Sequence, residues 1–434
     1  MRFGGSIAAL TLALAAASCG PRGQPERMGY GPEPHMPAGG KPLIPTMNPA
    51  TAIANGWAAA AAPAAPPGFV VRRFAASLDH PRWLYVLPNG DVLVAETNKP
   101  ESAVRGVQDV IMRGLEKRAG ALTPSADRIT LVRNPTGDRP TVQSVFLRGL
   151  RSPFGMALVG GYLYVANTDS IVRVPYVDGE TSISAKPETV VDLPANAPNN
   201  HWTRNLAASP DGRTLYVTVG SDSEAGEKGM AAEYHRADVL AVNIDGSNLR
   251  VYASGLRNPG ALAFEPATQV LWTTVNERDM LGNDTPPDFM TGLAPGGFYG
   301  WPWSFFGRHL DSAVKPQRPD MVAKALTPDY ALGAHTAPLG MAFYGGSAFP
   351  ATYRGGAFIA LHGSWNRTPR SGYKVIFVPF AKGRPAGPPR DFLTGFLDEH
   401  GDARGRPVDV VVAKDGALLV TDDVGDIVWR VSAR

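Results

Sequence analysis

The sequence predicts an all-β fold: one six-bladed β-propeller, preceded by a signal peptide and a segment rich in Pro, Ala and Gly. A two-strand unit returns six times at spacings of roughly 50 to 80 residues, which is typical of a propeller with one blade per copy. The 48 Gly and 40 Pro suit short strands joined by many turns. An apolar run at residues 69–74, before the first copy, can pair with the last blade and close the ring.

Each copy consists of a polar head, an apolar strand, a turn, and a second apolar strand that ends in a polar tail. The copies begin near Pro81, Ser152, Thr203, Arg257, Pro338 and Pro407. Asn-Gly or Asp-Gly pairs at 89–90, 211–212 and 415–416 separate the paired strands, where a tight hairpin needs positive backbone torsions. Residues 69–434 are therefore predicted to fold as a single propeller domain.

The first residues predict export. Residues 1–18 have the basic start and apolar stretch of a lipoprotein-type signal peptide. Cys19, the only cysteine, follows Ala17 and Ser18 as a lipidated cysteine would, so we expect a membrane-anchored lipoprotein facing the periplasm. The alternative is a plain exported protein with an incidental cysteine. Residues 19–68 are expected to be a flexible tether, because they contain few large apolar side chains and no periodic pattern.

Charge argues against a nucleic-acid partner. The chain carries 42 basic and 39 acidic residues, a formal net charge of +3, and no basic run. With one cysteine, no internal disulfide can form, so packing alone must hold the fold together.

Propeller geometry places the polar positions of different blades at one mouth of the central channel. The innermost strand starts at the face where the second strand ends, so heads and tails share that face. The heads include Arg82, Arg151, His201, Arg204, Arg257, Asn258, His335 and Arg406. The tails include Glu96, Asn98, Asn167, Asp169, Ser221, Asp222, residues 276–279, residues 362–367, Asp422 and Asp423.

Two interpretations of these basic heads remain open. A mouth lined by so many cations suits a small polyanion. Alternatively, the arginines pair with tail carboxylates of neighbouring blades and only hold the ring together.

Six strings carry information beyond the repeat. They are HWTRNLAASPDGRTLYVTVGSD at 201–222, GLRNPGALAF at 255–264, VNERDMLGND at 275–284, GGFYGWPW at 296–303, HGSWNR at 362–367 and GRPVDVVVAKDGALLVTDD at 405–423. Together they resemble the glucose/sorbosone dehydrogenase family, and the sorbosone dehydrogenase branch most of all. The resemblance covers about residues 70–434. It implies a six-bladed quinoprotein that binds pyrroloquinoline quinone and Ca²⁺ and oxidises a sugar, with an electron acceptor that the sequence does not name.

The resemblance also assigns roles to residues. His201 matches the catalytic base, and Arg257 and Asn258 match the pair that faces the quinone oxygens. The expected cofactor-binding residues are Arg151, Arg204, Arg257, Asn258, Trp301, Arg367 and Arg406. The backbone carbonyls of Glu277 and Arg278 stand where the family binds Ca²⁺, and Asn200 replaces an aspartate that orients the histidine.

Two other functions remain possible. Similar propellers hydrolyse lactones or esters with a divalent metal held on carboxylates and amides, although mostly basic heads count against such a cage. A propeller without redox activity could instead bind a glycan or a protein.

Overall fold

Six sheets, each with four antiparallel strands and two of them extended by a fifth strand, form a closed ring, which confirms the predicted propeller. The computed structural model describes residues 22–37, 50–101, 106–133, 139–197 and 199–434. Inner strands of successive blades pack against one another in order, and the inner strand of blade 6 packs against that of blade 1. The ring therefore surrounds a single central channel.

The strands of each blade are given from the innermost to the outermost. Blade 1 contains Pro81–Val86, Val92–Glu96, Arg128–Arg133 and Val142–Leu147. Blade 2 contains Met156–Val159, Tyr162–Ala166, Ser170–Pro175 and Glu188–Asp192. Blade 3 contains Leu206–Ala208, Thr214–Val219, Asp238–Asn243, Arg250–Ser254 and a parallel strand, Gly297–Phe298. Blade 4 contains Asn258–Phe264, Leu271–Asn276, Pro287–Gly292, Tyr330–Ala334 and Tyr30–Gly31. Blade 5 contains Pro338–Phe343, Ala357–Leu361, Lys374–Val378 and Arg390–Leu393.

Blade 6 closes the ring by combining the two ends of the domain. Its inner three strands are Pro407–Val412, Leu418–Asp422 and Ile427–Ala433. Phe69–Ala75 forms the outer strand and pairs antiparallel with Ile427–Ala433, with Phe69 opposite Ala433. This pairing confirms the closing strand that the sequence predicts.

The remaining elements lie in the connections between strands. Helix α1 spans Val107–Arg118 and helix α2 spans Pro319–Lys324. Short 3-10 turns span Glu26–Gly29 and Ala351–Tyr353. Two small ribbons pair Ser304–Phe305 with His309–Leu310 and Phe380–Ala381 with Arg384–Pro385. The connection carrying α1 joins the second and third strands of blade 1, so it lies on the face where the second strands end.

Close packing between blades explains why the second strands are mostly buried. Every residue of Val92–Glu96 is buried, because neighbouring blades cover both faces of the sheet. Glycines mark the tightest approaches of inner strands. A β-carbon on Gly155 would lie 2.2 Å from the backbone nitrogen of Leu206, and one on Gly340 would lie 2.5 Å from the α-carbon of Asp409.

The described parts of the segment expected to be a flexible tether lie against the propeller instead. Tyr30 and Gly31 add a strand to the outer edge of blade 4. Further along, the Trp57 ring packs edge-on against Phe396 and Trp429. Composition hides these contacts, because a few aromatic residues anchor a sequence made mostly of small residues.

The predicted signal peptide and Cys19 fall outside the described residues. In the described part of the chain, no helix is both long and apolar enough to cross a membrane.

Candidate functional site

A cavity of about 380 Å³ opens at the face where inner strands begin and second strands end. It is lined by the heads Arg82, His201, Arg257, Asn258 and His335, and by the tails Asn276, Glu277, Asp279, His362 and Asn366. Glu116 of α1, Trp202 and Trp365 also line it. Heads and tails of different copies therefore meet at one mouth of the central channel, as their equivalent positions in the repeats predict.

His201 is held as a neutral imidazole in this cavity. Its Nδ1 lies 2.8 Å from the carbonyl oxygen of Ser221 and 3.2 Å from the Ser221 hydroxyl. A carbonyl can only accept, so Nδ1 carries the proton and Nε2 is the ring's acceptor. Burial, and then the charge of Arg257, lower the pKa of His201 to about 3.

Asn200 does not orient this histidine, contrary to the expectation from its position in the sequence. Its Oδ1 accepts a hydrogen bond from Lys99 Nζ at 2.9 Å. Ser221 takes the orienting role, and it belongs to the tail of the third copy. No carboxylate contacts Nδ1 among the described residues, so the imidazolium has no charged partner on that side.

Arg257 is fixed by acceptors on two loops. Its Nη1 donates to the carbonyl oxygen of Glu277 at 2.8 Å, and its Nη2 donates to Glu224 Oε2 at 2.5 Å. Asp279 lies 3.7 Å from the same nitrogen, and the Asp279 backbone N–H also donates to Glu224. Although burial opposes ionisation, these carboxylates raise the pKa of Arg257, so the guanidinium is a permanent cation.

His335 supplies a second positive charge beside Arg257. Its Nε2 lies 2.8 Å from the carbonyl oxygen of Gly282, and its Nδ1 lies 3.5 Å from Asp279 Oδ1. With an acceptor at each nitrogen, the ring favours the protonated form. The pKa of His335 is raised in spite of burial, chiefly through Asp279.

Asp423 binds two of the remaining heads, Arg82 and Arg406, and the tail residue His362. It pairs with Arg82, with Arg406 Nε at 3.1 Å, and with His362 Nε2 at 2.8 Å. Burial opposes ionisation here too, but the surrounding cations hold the pKa of Asp423 well below its usual range. For these heads, the interpretation in which basic residues fasten neighbouring blades together describes the structure.

Five of the expected cofactor-binding residues do not line the cavity. Arg151 is exposed and pairs with Asp169 at 2.5 Å. Arg204 is fully buried and donates to the backbone carbonyls of His201, Thr203 and Pro194. Arg406 is bound to Asp423 behind the lining.

The other two have structural partners as well. Arg367 donates to the backbone oxygens of Asn283, Pro369 and Gln24 and pairs with Asp284. Trp301 is buried, and its indole N–H donates to the backbone oxygen of Glu224 at 3.0 Å. Trp301 therefore supports the Glu224 loop and does not face the cavity.

The expected backbone site for Ca²⁺ is changed at its first position. The Glu277 carbonyl oxygen already accepts from Arg257, which leaves it poorly suited to a cation. Arg278 turns away and pairs with Asp311 at 2.5 Å, so its charge does not oppose a metal. No group of three or more His, Cys, Asp or Glu side chains suited to a metal occurs within the described ranges.

Several residues that line this cavity carry buried polar atoms without a hydrogen-bond partner. Four buried oxygens of lining residues have no hydrogen-bond partner within the described structure: Asn258 Oδ1, Asn276 Oδ1, Glu277 Oε1 and Asn366 Oδ1. The Nε–H groups of Arg82 and Arg257 are likewise buried and unpartnered there. Buried polar groups are rarely left unsatisfied, so this pattern fits an anionic ligand bound together with a cation.

Comparisons with known proteins identify the family. A model described as glucose/sorbosone dehydrogenase matches residues 162–365, and one described as TrAA12-like matches residues 316–433. An uncharacterized protein of Borreliella burgdorferi is 31% identical over 292 residues, covering 65% of this chain and 76% of that protein. The chain belongs to the glucose/sorbosone dehydrogenase family. A pyrroloquinoline quinone-dependent pyranose dehydrogenase of Coprinopsis cinerea is 47% identical over 57 residues, 13% of this chain and 7% of that protein.

Solved structures share the family's fold. The holo pyrroloquinoline quinone domain of the Coprinopsis cinerea pyranose dehydrogenase aligns with a TM-score of 0.67 and 20% identity, covering 86% of this chain and 97% of that one. The pyrroloquinoline quinone-bound aldose sugar dehydrogenase of Streptomyces coelicolor aligns with a TM-score of 0.55 and 18% identity, covering 86% and 100%.

Proposed function

We propose that this protein oxidises a sugar, an aldose or a sorbosone-like aldehyde, with pyrroloquinoline quinone bound in the cavity. The observation that carries the proposal is the arrangement of His201, a neutral base, beside Arg257 and Asn258 in a cavity with unpartnered donors and acceptors. Membership in the family and the similarity to the pyrroloquinoline quinone-dependent pyranose dehydrogenase of Coprinopsis cinerea support the same activity.

Each residue has a definite task in this proposal. His201 Nε2 accepts the proton of the hydroxyl on the carbon that loses hydride, in the hemiacetal of an aldose or the hydrated form of an aldehyde, while Nδ1 stays bound to Ser221. Arg257, whose Nε–H is unpartnered, binds negative charge and stabilises it as it grows during the reaction. The bound quinone would supply the hydride acceptor. Trp202 and Trp365 offer flat apolar contacts at the cavity wall.

We propose that Ca²⁺ binds through side chains and not through the Glu277 carbonyl. Asn276, Glu277 and Asn366 provide buried, unpartnered oxygens at the cavity wall, and Ca²⁺ prefers oxygen ligands. The ion would act as a Lewis acid toward the bound ligand.

The location completes the proposal. Cys19 would carry the lipid that anchors the exported protein, and the domain would face the periplasm, where an electron acceptor reoxidises the cofactor. The sugar and that acceptor are the expected partners, and the near balance of charge argues against nucleic acid as a partner.

A titration tests the activity directly. Purified protein is mixed with pyrroloquinoline quinone in the presence of Ca²⁺, and cofactor binding and dye reduction are followed with a panel of aldoses and aldehyde sugars. We expect binding at micromolar cofactor and sugar-dependent dye reduction. Absence of cofactor binding at that level would contradict the proposal.

The oxygens around the cavity also favour a second candidate, a metal-dependent lactonase. Asn258, Asn276, Glu277 and Asn366 together resemble the carboxylate and amide donors that such a metal requires. This function would show Ca²⁺-dependent hydrolysis of sugar lactones without added quinone and without dye reduction.

A further inference from the structure

The chain enters the described structure on the cavity face. The Gly23 N–H donates to the carbonyl oxygen of Thr368 at 2.7 Å. The Gln24 N–H lies 3.0 and 3.1 Å from the two oxygens of the Asp284 carboxylate, and Arg367 Nη2 donates to the Gln24 carbonyl oxygen at 2.6 Å. Four hydrogen bonds therefore fasten this segment to the loops that follow the second strands of blades 4 and 5.

These loops border the cavity. Asp284 follows the lining residue Asp279 along the same loop, and Thr368 comes two residues after the lining residue Asn366. After residue 49, which lies outside the described ranges, the chain is again at this face, because the Ala50 N–H donates to the carbonyl oxygen of the lining residue Trp365 at 2.7 Å. Both contacts belong to the rim of the mouth.

The distance from Cys19 to this point is short. Four residue steps separate Cys19 from Gly23, so their α-carbons can be at most about 15 Å apart. A compact domain of the size of residues 69–434 has a radius of gyration of about 21 Å. Because the segment from Cys19 to Gly23 is shorter than this radius, the domain cannot turn the face opposite the cavity toward a lipid attached at Cys19.

We propose that the cavity face of the propeller rests on the lipid surface, with the mouth opening toward the membrane. The inference rests on the proposed lipid attachment at Cys19. In this orientation, the cavity is presented to acceptors dissolved in the bilayer, and sugars reach it along the membrane surface.

The cavity face carries groups suited to that contact. Its two long insertions, residues 97–127 of blade 1 and residues 220–237 of blade 3, display Val110 with 60% of its surface exposed and Tyr234 with 72% exposed. Lys117 and Arg118, at the end of α1, are exposed on the same side. Apolar and basic side chains together strengthen the membrane binding of an acylated protein.

Exposed apolar residues at the other end of the propeller provide matched controls. Val177 follows the third strand of blade 2 and is 59% exposed, and Val251 begins the fourth strand of blade 3. The proposal therefore depends on where the chain is attached and not on exposed apolar surface alone.

Lipid-dependent quenching tests the orientation. The full lipidated chain is reconstituted in vesicles of phosphatidylethanolamine and phosphatidylglycerol. Once Cys19 is acylated, a cysteine introduced as Val110→Cys, Tyr234→Cys, Val177→Cys or Val251→Cys is the only free thiol, and it is labelled with a fluorophore. We expect lipids that carry a nitroxide quencher to quench the first two labels several-fold more strongly than the last two.

Each other outcome overturns the orientation. Equal quenching at both ends, or stronger quenching at Val177, would show that the cavity face does not rest on lipid. Shielding of the Tyr234 label that grows with protein concentration in detergent would identify a second copy as the occupant. Mass spectrometry tests independently whether Cys19 carries a lipid, and its absence would contradict the proposal. Sugar-dependent dye reduction by the same samples reports separately on the dehydrogenase.

Discussion

The Glu224 carboxylate holds the guanidinium of Arg257 at 2.5 Å and at the same time accepts the backbone N–H of Asp279. Trp301 fastens the Glu224 backbone from behind. Because Glu224 contacts Arg257 and does not line the cavity, it is a positioning residue.

Glu224→Ala should therefore lower turnover about tenfold or more, since a hydrogen bond to a charged group contributes roughly 1.5–3 kcal/mol. Glu224→Gln keeps the shape but only one of the two acceptor oxygens, so it should restore only part of that rate. Steady-state kinetics on both variants, with Glu180→Gln at the opposite face as control, provide the measurement. An Ala variant as fast as the parent protein would show that Arg257 needs no support.

His201→Ala should abolish most turnover and leave cofactor binding nearly unchanged. A general base contributes roughly 10²–10⁴-fold to rate, and the Ala variant removes Nε2 without touching Arg257. Asn200→Ala is the informative comparison, because Asn200 bonds to Lys99 and not to the imidazole. If Asn200→Ala lost as much rate as His201→Ala, the assignment of Ser221 as the orienting group would be wrong.

His201 should contribute no titration to the rate near neutral pH. With a pKa of about 3, His201 of the free protein is already neutral between about pH 5 and 8, so its own ionisation should not make kcat/KM rise with a midpoint near 6.5. A pH profile in overlapping buffers checks this. An acid limb near 6.5 that disappears in His201→Ala would mean that the imidazole is exposed to water.

The position of a residue within its repeat explains which site residues could be predicted from the sequence. A strand that begins at the channel mouth fixes where its first residue lies, so His201, Arg257 and Asn258 were predicted at the cavity and are found there. The closing strand was predicted at residues 69–74 from its place just before the first copy, and the structure shows it at Phe69–Ala75. Ser221 could also be found from the repeat, because it lies just after the second strand of the third copy.

Side-chain direction and insertions explain the misses. Arg204 shares the phase of His201, but its side chain turns into the blade and binds carbonyls. Repeat position says which end of a strand a residue occupies, and it does not say which way the residue points. Glu224 lies in the insertion 220–237, whose sequence does not recur in the other copies, so its position could not be predicted from the repeat.

Removing the Glu277 side chain should weaken Ca²⁺ binding. Its Oε1 is buried and unpartnered at the cavity wall, so Glu277→Ala should reduce Ca²⁺ affinity roughly 10–100-fold, the range seen when groups around a metal are removed. Isothermal titration of Ca²⁺ in the presence of the quinone gives the affinity without relying on turnover. Glu180→Gln is the control. An unchanged Ca²⁺ affinity in Glu277→Ala would show that backbone carbonyls, and not the Glu277 side chain, bind the metal.

Trp57 should contribute to stability mainly where Asp422 is ionised. The indole N–H donates to Asp422 Oδ2 at 2.6 Å, beside Trp429 Nε1 at 3.0 Å and the backbone N–H of Arg406 at 2.9 Å. Burial raises the pKa of Asp422 to about 6. Because this value lies above the unfolded pKa of about 3.9, the folded protein binds more protons in between, and the contribution of this group to stability falls as pH rises from about 4 to 6.

Trp57→Phe keeps the aromatic ring but removes the donor, so the charged carboxylate loses a hydrogen bond worth roughly 1.5–3 kcal/mol, whereas the neutral carboxyl loses about 1 kcal/mol. The loss in free energy of unfolding should therefore be larger at pH 7 than at pH 4, as measured by urea denaturation. Trp272→Phe is the matched control, because the buried Trp272 Nε1 has no hydrogen-bond partner in the described structure. Its cost should be the same at both pH values. Equal costs for Trp57→Phe at the two pH values would show that ring packing, and not the bond to Asp422, holds this segment on blade 6.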